Sequence, residues 1–291
     1  MRGARWLVDS LRAKQDIDKS LGQHYLISDE LIARAVELAE VNSDDHVLEI
    51  GPGPGVLTEA LLETGCKLTA IEIDDGTVEH LNDAFAPEII SGQLNLVTAD
   101  VLSSDLPADL TKVVANIPYQ ISSPLIELLT RHQRSPHTGE ISDVVMLVQE
   151  EFAERLAMEY ESDVGSLGMT ALLDWNSEIE DKVAPHNFSP NPKVHSRYVH
   201  MTPQNEELPC DKRLVRLLIH AAFAERRKKL RSTLKRIPKR LNRIPKWHSS
   251  RWKEAYSAIV EDEIMDARPE ELEFEDWLEL ASDFTSFGEE E

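Results

Sequence analysis

Between Asp45 and Met158 the sequence alternates short apolar runs with amphipathic segments, and this alternation limits the fold more than any other feature. Short buried strands that alternate with helices predict a parallel sheet covered by helices on both faces, an α/β fold. Ligands of such sheets bind at the carboxyl ends of the strands. The predicted strands are His46–Ile50, Lys67–Ile73, Leu94–Thr98, Lys112–Ala115 and Val144–Val148, and the predicted helices include Val56–Glu63, Thr77–Phe85 and Gln149–Met158, with another after Pro124.

Two changes of pattern divide the chain into three predicted parts. Residues 1–20 are polar and of mixed charge, which indicates a flexible leader. Residues 21–204 hold the alternating pattern, after a helix that Ser28 opens. Residues 205–291 carry no strand signal, and the segments 211–224, 225–246, 251–260 and 269–284 favour a small all-helical domain that ends in an acidic tail.

Charge is distributed very unevenly along the chain. The net charge is −22, from 31 Lys and Arg against 53 Asp and Glu. The basic segment, Glu225–Lys246, nevertheless carries a net +10, which leaves −32 for the rest of the chain. Such a local footprint is typical of RNA binding, and the first candidates for phosphate contacts are Arg226, Arg227, Lys228, Lys229 and Arg231. A solvated amphipathic helix explains the same composition equally well.

A glycine-rich loop, Gly51-Pro52-Gly53-Pro54-Gly55, follows the first predicted strand and indicates a cofactor site. Glycines such as Gly51 and Gly53 let the backbone approach a ligand closely. The third glycine comes one position too early for the dinucleotide fingerprint, and the prolines remove N–H groups that a pyrophosphate requires, so the loop favours a ligand without phosphates. Glu72 and Asp100 end the next two strands, where they can accept hydrogen bonds from a ribose and an adenine amine. Together these features predict a nucleoside cofactor.

The segment Asn116-Ile117-Pro118-Tyr119 follows the fourth predicted strand and matches the chemistry of methylating an exocyclic base amine. The lone pair of such an amine is delocalised into the ring. Hydrogen bonds accepted by Asn116 and by a carbonyl of the Ile117-Pro118 turn favour a pyramidal, more nucleophilic nitrogen and hold it in line for attack. Tyr119 would stack on the base once it has left its helix. The alternative is that these residues have only a structural role, with Asn116 and Pro118 closing a turn and Tyr119 packed against it.

Five segments in this order resemble the rRNA adenine N6-dimethyltransferases: Gln23-His24-Tyr25-Leu26, Glu49–Gly55, Ile71-Glu72-Ile73-Asp74, Asn116–Pro124 and Phe188–Val194. The resemblance runs from about residue 21 to 202 and continues more loosely through the helical tail. Gln120-Ile121-Ser122-Ser123-Pro124 is most similar to the archaeal and eukaryal small-subunit branch. In two positions the chain departs from the family pattern: bacterial relatives usually carry Asn where His24 stands, and Ser-Ala is commoner than His186-Asn187.

The resemblance implies a class I, Rossmann-like methyltransferase that transfers methyl groups from S-adenosylmethionine to two adjacent adenosines in the 3′-terminal stem-loop of small-subunit rRNA, on a pre-30S particle. It also implies roles for individual residues. His24 and Leu26 would flank the cofactor, with Gly51 under its methionine part. Glu72 would hold the ribose, Asp100 the adenine amine, and Asn116 would face both the methyl donor and the target amine. Phe188 would be the second wall of the base pocket, opposite Tyr119.

Other functions stay open at this point. A large-subunit dimethylase of the antibiotic-resistance type shares the catalytic loop, and a non-catalytic assembly or RNA-binding factor would keep the fold for docking. A nicotinamide-dependent oxidoreductase is disfavoured by the glycine spacing. We expect a cytoplasmic monomer without a metal site, because the histidines lack ligand spacing, and without a membrane segment or signal peptide. The acidity outside the basic segment suggests a halophilic archaeal source.

Overall fold

The central feature of the computed structural model, which describes residues 2–15 and 23–287, is a seven-stranded, mostly parallel sheet. Its order is β4-β3-β2-β5-β6-β9-β7. Strands β2 to β6 run parallel to one another, and β9 pairs antiparallel with β6. The chain reverses its direction of progress across the sheet between β2 and β5, so the carboxyl ends of these strands form the switch point where ligands bind.

The strands agree with the five predicted ones to within one residue at each end. β1 and β8 form a separate two-stranded antiparallel ribbon, in which Leu26 pairs with Phe188. The strands are β1 Tyr25–Leu26, β2 His46–Ile50, β3 Lys67–Glu72, β4 Leu94–Thr98, β5 Lys112–Asn116, β6 Asp143–Gln149, β7 Trp175–Val183, β8 Phe188–Ser189 and β9 Ser196–Pro203.

Side-chain caps fix the starts of two helices that border the site. Ser28 accepts a hydrogen bond from the Leu31 N–H, and Asp74 accepts one from the Thr77 N–H at 2.8 Å. The helices are α1 Ala4–Arg12, α2 Asp29–Leu38, α3 Val56–Glu63, α4 Asp75–Ala84, α5 Ala86–Ser91, α6 Ser122–Gln133, α7 Glu150–Ala157, α8 Ser166–Ala171, α9 Lys212–Phe223, α10 Leu230–Thr233, α11 Ser249–Ile259 and α12 Phe274–Ser286. None of these helices combines the length and apolar character needed to cross a bilayer.

The expectation of a flexible leader is wrong for Ala4–Arg12, which forms α1 (Met1 and residues 16–20 of that leader lie outside the described residues). Its apolar residues Ala4, Leu7, Val8 and Leu11 recur at helical spacing and are buried in the core. A hydrogen bond also holds the start of this helix: the Asp29 carboxylate accepts it from the Ala4 N–H at 2.8 Å. The burial of one apolar face outweighs the polar composition of the segment.

The chain divides into two compact units, and the division differs in one respect from the predicted boundaries. The first unit comprises Met1–Glu154 and Ser177–Pro203, and the second comprises Arg155–Asn176 and Gln204–Glu291. The second part of the second unit begins at Gln204, within one residue of the predicted start at position 205. The second unit also includes Arg155–Asn176, which the sequence had placed in the 21–204 domain. Trp252, Trp277 and Phe284 are completely buried in its helical core.

The basic segment is not the continuous helix that the sequence suggested. Within Glu225–Lys246 the helical structure is limited to the four residues of α10 and a 3₁₀ turn at Leu241–Arg243. Pro238 and Pro245 lack the N–H that a continuing helix requires, which explains the interruption. Except for Arg231, which lies in α10, the basic side chains are therefore displayed on turns and loops.

Candidate active site

A cavity of about 260 Å³ opens at the carboxyl ends of β2, β3 and β5 in the first unit. This is the position that the parallel sheet predicts. All but one of the residues predicted from the sequence to bind the cofactor or to act in catalysis line this cavity. The lining residues are His24, Leu26, Gly51, Gly53, Glu72, Asp100, Asn116, Pro118 and Tyr119. Phe188 is the predicted site residue that does not line it.

The glycine-rich loop passes under the ring of Tyr25. Gly53 has a φ of +54°, and a Cβ placed on it would lie 2.8 Å from Cε1 of Tyr25. Any side chain at position 53 would therefore be strained and would also displace a buried ring. Glycine at this position lets the loop pack closely at the floor of the cavity.

Glu72 ends β3 and holds the glycine-rich loop through its carboxylate. It accepts hydrogen bonds from the N–H groups of Gly53 at 3.2 Å, Ile73 at 2.8 Å and Asp74 at 3.0 Å. Burial raises the pKa of Glu72, and these three hydrogen bonds act against that rise. The carboxylate thus sets the loop conformation while it lines the cavity, and its Oε2, which accepts one of the three bonds, keeps a lone pair for a further donor.

Glu49 is a second buried carboxyl beside the loop, and the sequence pattern did not single it out for a role. It is 1% exposed, and its Oε2 accepts a hydrogen bond from the Thr58 hydroxyl at 2.7 Å. Burial is the main cause that raises the pKa of Glu49 to about 8, and the nearby charge of Glu72 adds to it. The signal in the sequence is an acid inside an otherwise apolar strand, where an unpaired charge is costly.

Asp100 lies at the far side of the cavity, two residues beyond the end of β4. Its Oδ1 accepts a hydrogen bond from the Leu102 N–H at 2.9 Å and caps a short 3₁₀ turn. The residue is exposed, so its second oxygen is accessible to a ligand donor. The turn orients the carboxylate at the rim of the cavity.

Asn116 is the last residue of β5, and Pro118 and Tyr119 follow it closely. The Asn116 side chain makes no hydrogen bond to any residue in 2–15 or 23–287, so its amide is available to a ligand in the cavity. The Tyr119 hydroxyl lies 2.8 Å from Ser196 Oγ, and burial raises the pKa of the phenol. The anchored phenol fixes the ring plane beside a free amide, as a base-binding site requires.

Comparisons with known proteins agree with this geometry. The family model described as ribosomal RNA adenine dimethylase matches residues 14–248. The chain belongs to this family. Ribosomal RNA small subunit methyltransferase A of Synechocystis is 35% identical over 293 residues, which cover 92% of this chain and 96% of the relative. The enzyme of the same name from Brucella melitensis is 37% identical over 225 residues, 75% of this chain and 80% of the relative.

Two solved structures share the fold of this chain. A dimethyladenosine transferase from Plasmodium falciparum superposes with a TM-score of 0.74 at 26% identity and covers 90% of this chain and 97% of its own. The 23S rRNA methyltransferase ErmE reaches a TM-score of 0.64 at 24% identity over 88% of this chain and 99% of its own, which supports the fold alone. The family is that of S-adenosylmethionine-dependent methyltransferases, and the class I, Rossmann-like fold with a helical C-terminal part is confirmed.

The role of Phe188 as the second wall of the base pocket stays a prediction. Phe188 is 1% exposed, lies in the hydrophobic core and does not line the cavity. Its backbone pairs with Leu26 in the β1–β8 ribbon, which brings the 23–26 segment to the cavity instead. The imidazole of His24 lies next to the ring of Tyr119, with 6.1 Å between the ring centroids. The two residues are 95 positions apart, and no local pattern in the sequence indicates that they are neighbours.

The basic segment displays its cations in two sets. In the first set, cations are paired with carboxylates of the same unit: Arg226 with Glu270, both Lys228 and Arg236 with Glu225, and both Lys229 and Arg231 with Asp266. In the second set, the side chains are exposed and have no hydrogen bond or ion pair within the described residues. This second set comprises Arg227, Lys235, Lys239, Arg240, Arg243 and Lys246.

Proposed function

We propose that this protein transfers methyl groups from S-adenosylmethionine to the N6 amines of two adjacent adenosines in the 3′-terminal stem-loop of small-subunit rRNA during ribosome assembly. The observation that carries the proposal is the free Asn116 amide beside the anchored ring of Tyr119, in one cavity with Glu72 and the glycine-rich loop. The curated relatives named above are small-subunit rRNA methyltransferases, which favours this substrate over large-subunit rRNA. A purely docking role would not require the Asn116–Tyr119 loop.

The cavity suits S-adenosylmethionine in its hydrogen-bond acceptors and in its shape. Glu72 Oε2 retains a lone pair for a ribose hydroxyl, Asp100 has one oxygen available for an adenine amine, and Gly51 and Gly53 line the cavity where the methionine part would lie. Leu26 supplies an apolar wall. When bound, the cofactor supplies an electrophilic methyl group on a sulfonium centre.

The residues at the end of β5 and directly after it would act on the target amine. The Asn116 side-chain oxygen and a carbonyl of the Ile117-Pro118 turn accept its two N–H hydrogen bonds, so the nitrogen lone pair is less delocalised and points at the methyl group. Tyr119 stacks on the base and compensates for the stacking that the base gives up when it leaves its helix. The amine loses its proton after the carbon–nitrogen bond has formed, so no strong general base is required.

Contact with the rRNA backbone is assigned to the basic segment. Arg226, Lys228, Lys229 and Arg231 would exchange their carboxylate partners for phosphates, at the cost of breaking those pairs. Arg227 and the five unpaired cations between Lys235 and Lys246 meet phosphates without that cost. The unpaired set is therefore expected to contribute more to affinity per residue.

The acidic residues outside the basic segment are explained by the salt concentration in which the protein would work. We propose that the protein works as a monomer, without a metal ion, in a cytoplasm of high salt concentration. In that medium the many carboxylates keep the surface hydrated, and electrostatic reach shortens to about 3 Å at 1 M salt. The net charge of −22 then does not prevent binding to RNA through one basic segment.

Methyl transfer from labelled S-adenosylmethionine to unmodified small ribosomal subunits tests the proposal. Asn116→Ala should lower the rate by about 10²–10³-fold, the effect of removing one hydrogen-bond partner of the reacting group, and should leave subunit binding unchanged. Asn95→Ala, on the exposed side of β4, is the matched control and should transfer normally. If the wild-type protein binds subunits but transfers no methyl group, the proposed enzyme function is wrong and a role as an assembly factor is favoured.

A further inference from the structure

The glycine-rich loop has few backbone groups that can anchor it. Its two prolines have no N–H, so the glycines are its only backbone donors. The Gly51 N–H donates to the Ile71 carbonyl at 2.9 Å, and the Gly53 N–H donates to Glu72. Both bonds hold the first half of the loop to β3. At Pro54, in the second half, the carbonyl is the one backbone group that can serve as an anchor.

His80, in the middle of α4, supplies a hydrogen bond to that carbonyl. Its Nε2 lies 3.3 Å from the Pro54 oxygen, and because a carbonyl only accepts, Nε2 carries the hydrogen. His80 is 1% exposed and does not line the cavity. The imidazole therefore holds the loop from outside the ligand site.

The second ring nitrogen of His80 favours a neutral imidazole. Nδ1 is buried and has no hydrogen-bond partner within residues 2–15 and 23–287, so a proton on it would be a buried donor without an acceptor. Burial lowers the pKa of His80, and the nearby cations of Lys14 and Arg2 lower it further. The hydrogen bond to Pro54 and the charge of Asp83 act in the other direction. At pH 7 the ring thus keeps a single hydrogen, on Nε2 and directed at the loop.

The helix that carries His80 is held at both ends by the N-terminal segment. Arg2 Nη1 donates to the Ala84 carbonyl at 2.7 Å, and the Gln15 amide donates to the Thr77 hydroxyl at 2.9 Å. His80 lies between these two ends of α4. Its ring therefore has a fixed position beneath the loop before any ligand arrives, which lowers the entropy cost of binding.

We propose that His80 is a positioning residue of the cofactor site, whose Nε2–H holds the Pro54 carbonyl and keeps the glycine-rich loop in the conformation that binds S-adenosylmethionine. A loop without this bond has to be ordered by the cofactor, and the free energy of that ordering is lost from binding. The inference rests on the part of the proposed function that assigns the cavity to S-adenosylmethionine, and it does not depend on which RNA is methylated.

Two variants of the full chain separate the hydrogen bond from the volume of the ring. His80→Leu fills the space without a donor, whereas His80→Gln places an amide N–H near the position of Nε2. His132→Leu is the matched control. His132 is another buried histidine of the first unit that does not line the cavity, and its Nε2 has no partner within the described part of the chain.

Calorimetric titration with S-adenosylmethionine measures the effect directly. We expect the Kd to rise by about 3–10-fold in His80→Leu, the usual value of one neutral hydrogen bond. In His80→Gln and His132→Leu the Kd should stay within about twofold of wild type. The ring ¹⁵N shifts of His80, assigned by their loss in His80→Gln, should show the neutral Nε2–H form at pH 7.

Two further measurements distinguish positioning of the loop from a general loss of stability. At saturating S-adenosylmethionine, both kcat and the KM for unmodified small subunits should stay within about twofold of wild type in His80→Leu, because the bound cofactor then orders the loop. Without cofactor, the amides of Gly53 and Gly55 should exchange hydrogen faster in His80→Leu than in His132→Leu.

Several results would overturn the role of His80. These are an unchanged Kd in His80→Leu, an equal rise in His132→Leu, a defect in His80→Gln as large as that in His80→Leu, or a hydrogen on Nδ1 instead of Nε2. If the wild-type protein binds S-adenosylmethionine but methylates no subunit, the proposed function fails, while the effects of the His80 variants on Kd and on loop exchange still test this inference.

Discussion

Gly55→Ala is a sensitive test of the packing beneath the cofactor loop. Gly55 is the N-cap of α3 and has a φ of +88°. A Cβ at this position would press on the Phe85 ring and lie 2.9 Å from Cδ2 of Leu81, and both neighbours are 1% exposed. The substitution therefore combines backbone strain with overpacking of a core that has no free space.

Gly92→Ala separates these two effects. Gly92 has a similar φ of +80°, but a Cβ there meets nothing within 4 Å. A left-handed alanine costs ~1–2 kcal/mol, of which ~0.4–1 kcal/mol is offset by the stiffer unfolded chain. Gly92→Ala should therefore lower the free energy of unfolding by about 1 kcal/mol, and Gly55→Ala by a further ~1–3 kcal/mol from overpacking.

Pulsed alkylation of cysteine in urea measures this difference within the first unit. Cys66 is fully buried and directly precedes β3 in that unit, whereas Cys210 lies in the second unit and serves as an internal control. With a slope of ~2 kcal/mol per M, the Cys66 midpoint should fall by ~1–2 M in Gly55→Ala and by ~0.5 M in Gly92→Ala. Equal midpoints for the two variants would refute the packing argument.

Three further predictions concern charge. Because the pKa of Glu49 is raised to about 8, its carboxyl stays protonated in the folded state up to that pH, whereas in the unfolded state it loses the proton near pH 4.5. The free energy of unfolding should therefore fall as pH rises from about 4.5 to 8, by at most about 1.4 kcal/mol per pH unit. An equally steep pH dependence in Glu49→Gln would contradict this prediction. Replacing the unpaired Lys235 and Lys239 by Gln should reduce the magnitude of the slope of log affinity against log salt by ~0.7–0.9 for each phosphate that is no longer neutralised. Replacing the paired Arg226 and Lys229 by Gln removes the same number of charges and should reduce the slope less; an equal reduction in both variants would contradict the role of pairing. Finally, the free energy of unfolding should increase from ~0.1 M to above 1 M salt as repulsion is screened, and a constant value would remove the argument for a high-salt cytoplasm.

The parallel part of the sheet was predictable because buried parallel strands are continuous apolar runs. β2 and β4 agree with their predicted bounds, and β3, β5 and β6 differ by one residue at one end or at both. β7 and β9 were missed. β7 has the sequence Trp-Asn-Ser-Glu-Ile-Glu-Asp-Lys-Val, and its polar residues face solvent at the edge of the sheet, so its assignment depends on a strand that follows about twenty residues later.

The candidate site was largely predictable because its residues follow strand ends. Glu72, Asp100 and Asn116 each lie where a parallel strand stops, and parallel strands end at one edge. The partner of Tyr119 was not predictable in this way. His24 reaches it because β1 pairs with β8, a contact between segments more than 160 residues apart, and this pairing also buries Phe188.

Mapping the methylated nucleosides of small-subunit rRNA tests the central claim most directly. Unmodified small subunits and, separately, unmodified large subunits would be incubated with the protein and S-adenosylmethionine, and the rRNA would be digested and analysed by mass spectrometry. We expect N6,N6-dimethyladenosine at two adjacent positions near the 3′ end of the small-subunit rRNA. Dimethyladenosine in large-subunit rRNA only, or none in either RNA despite binding to the small subunit, would contradict the proposed function.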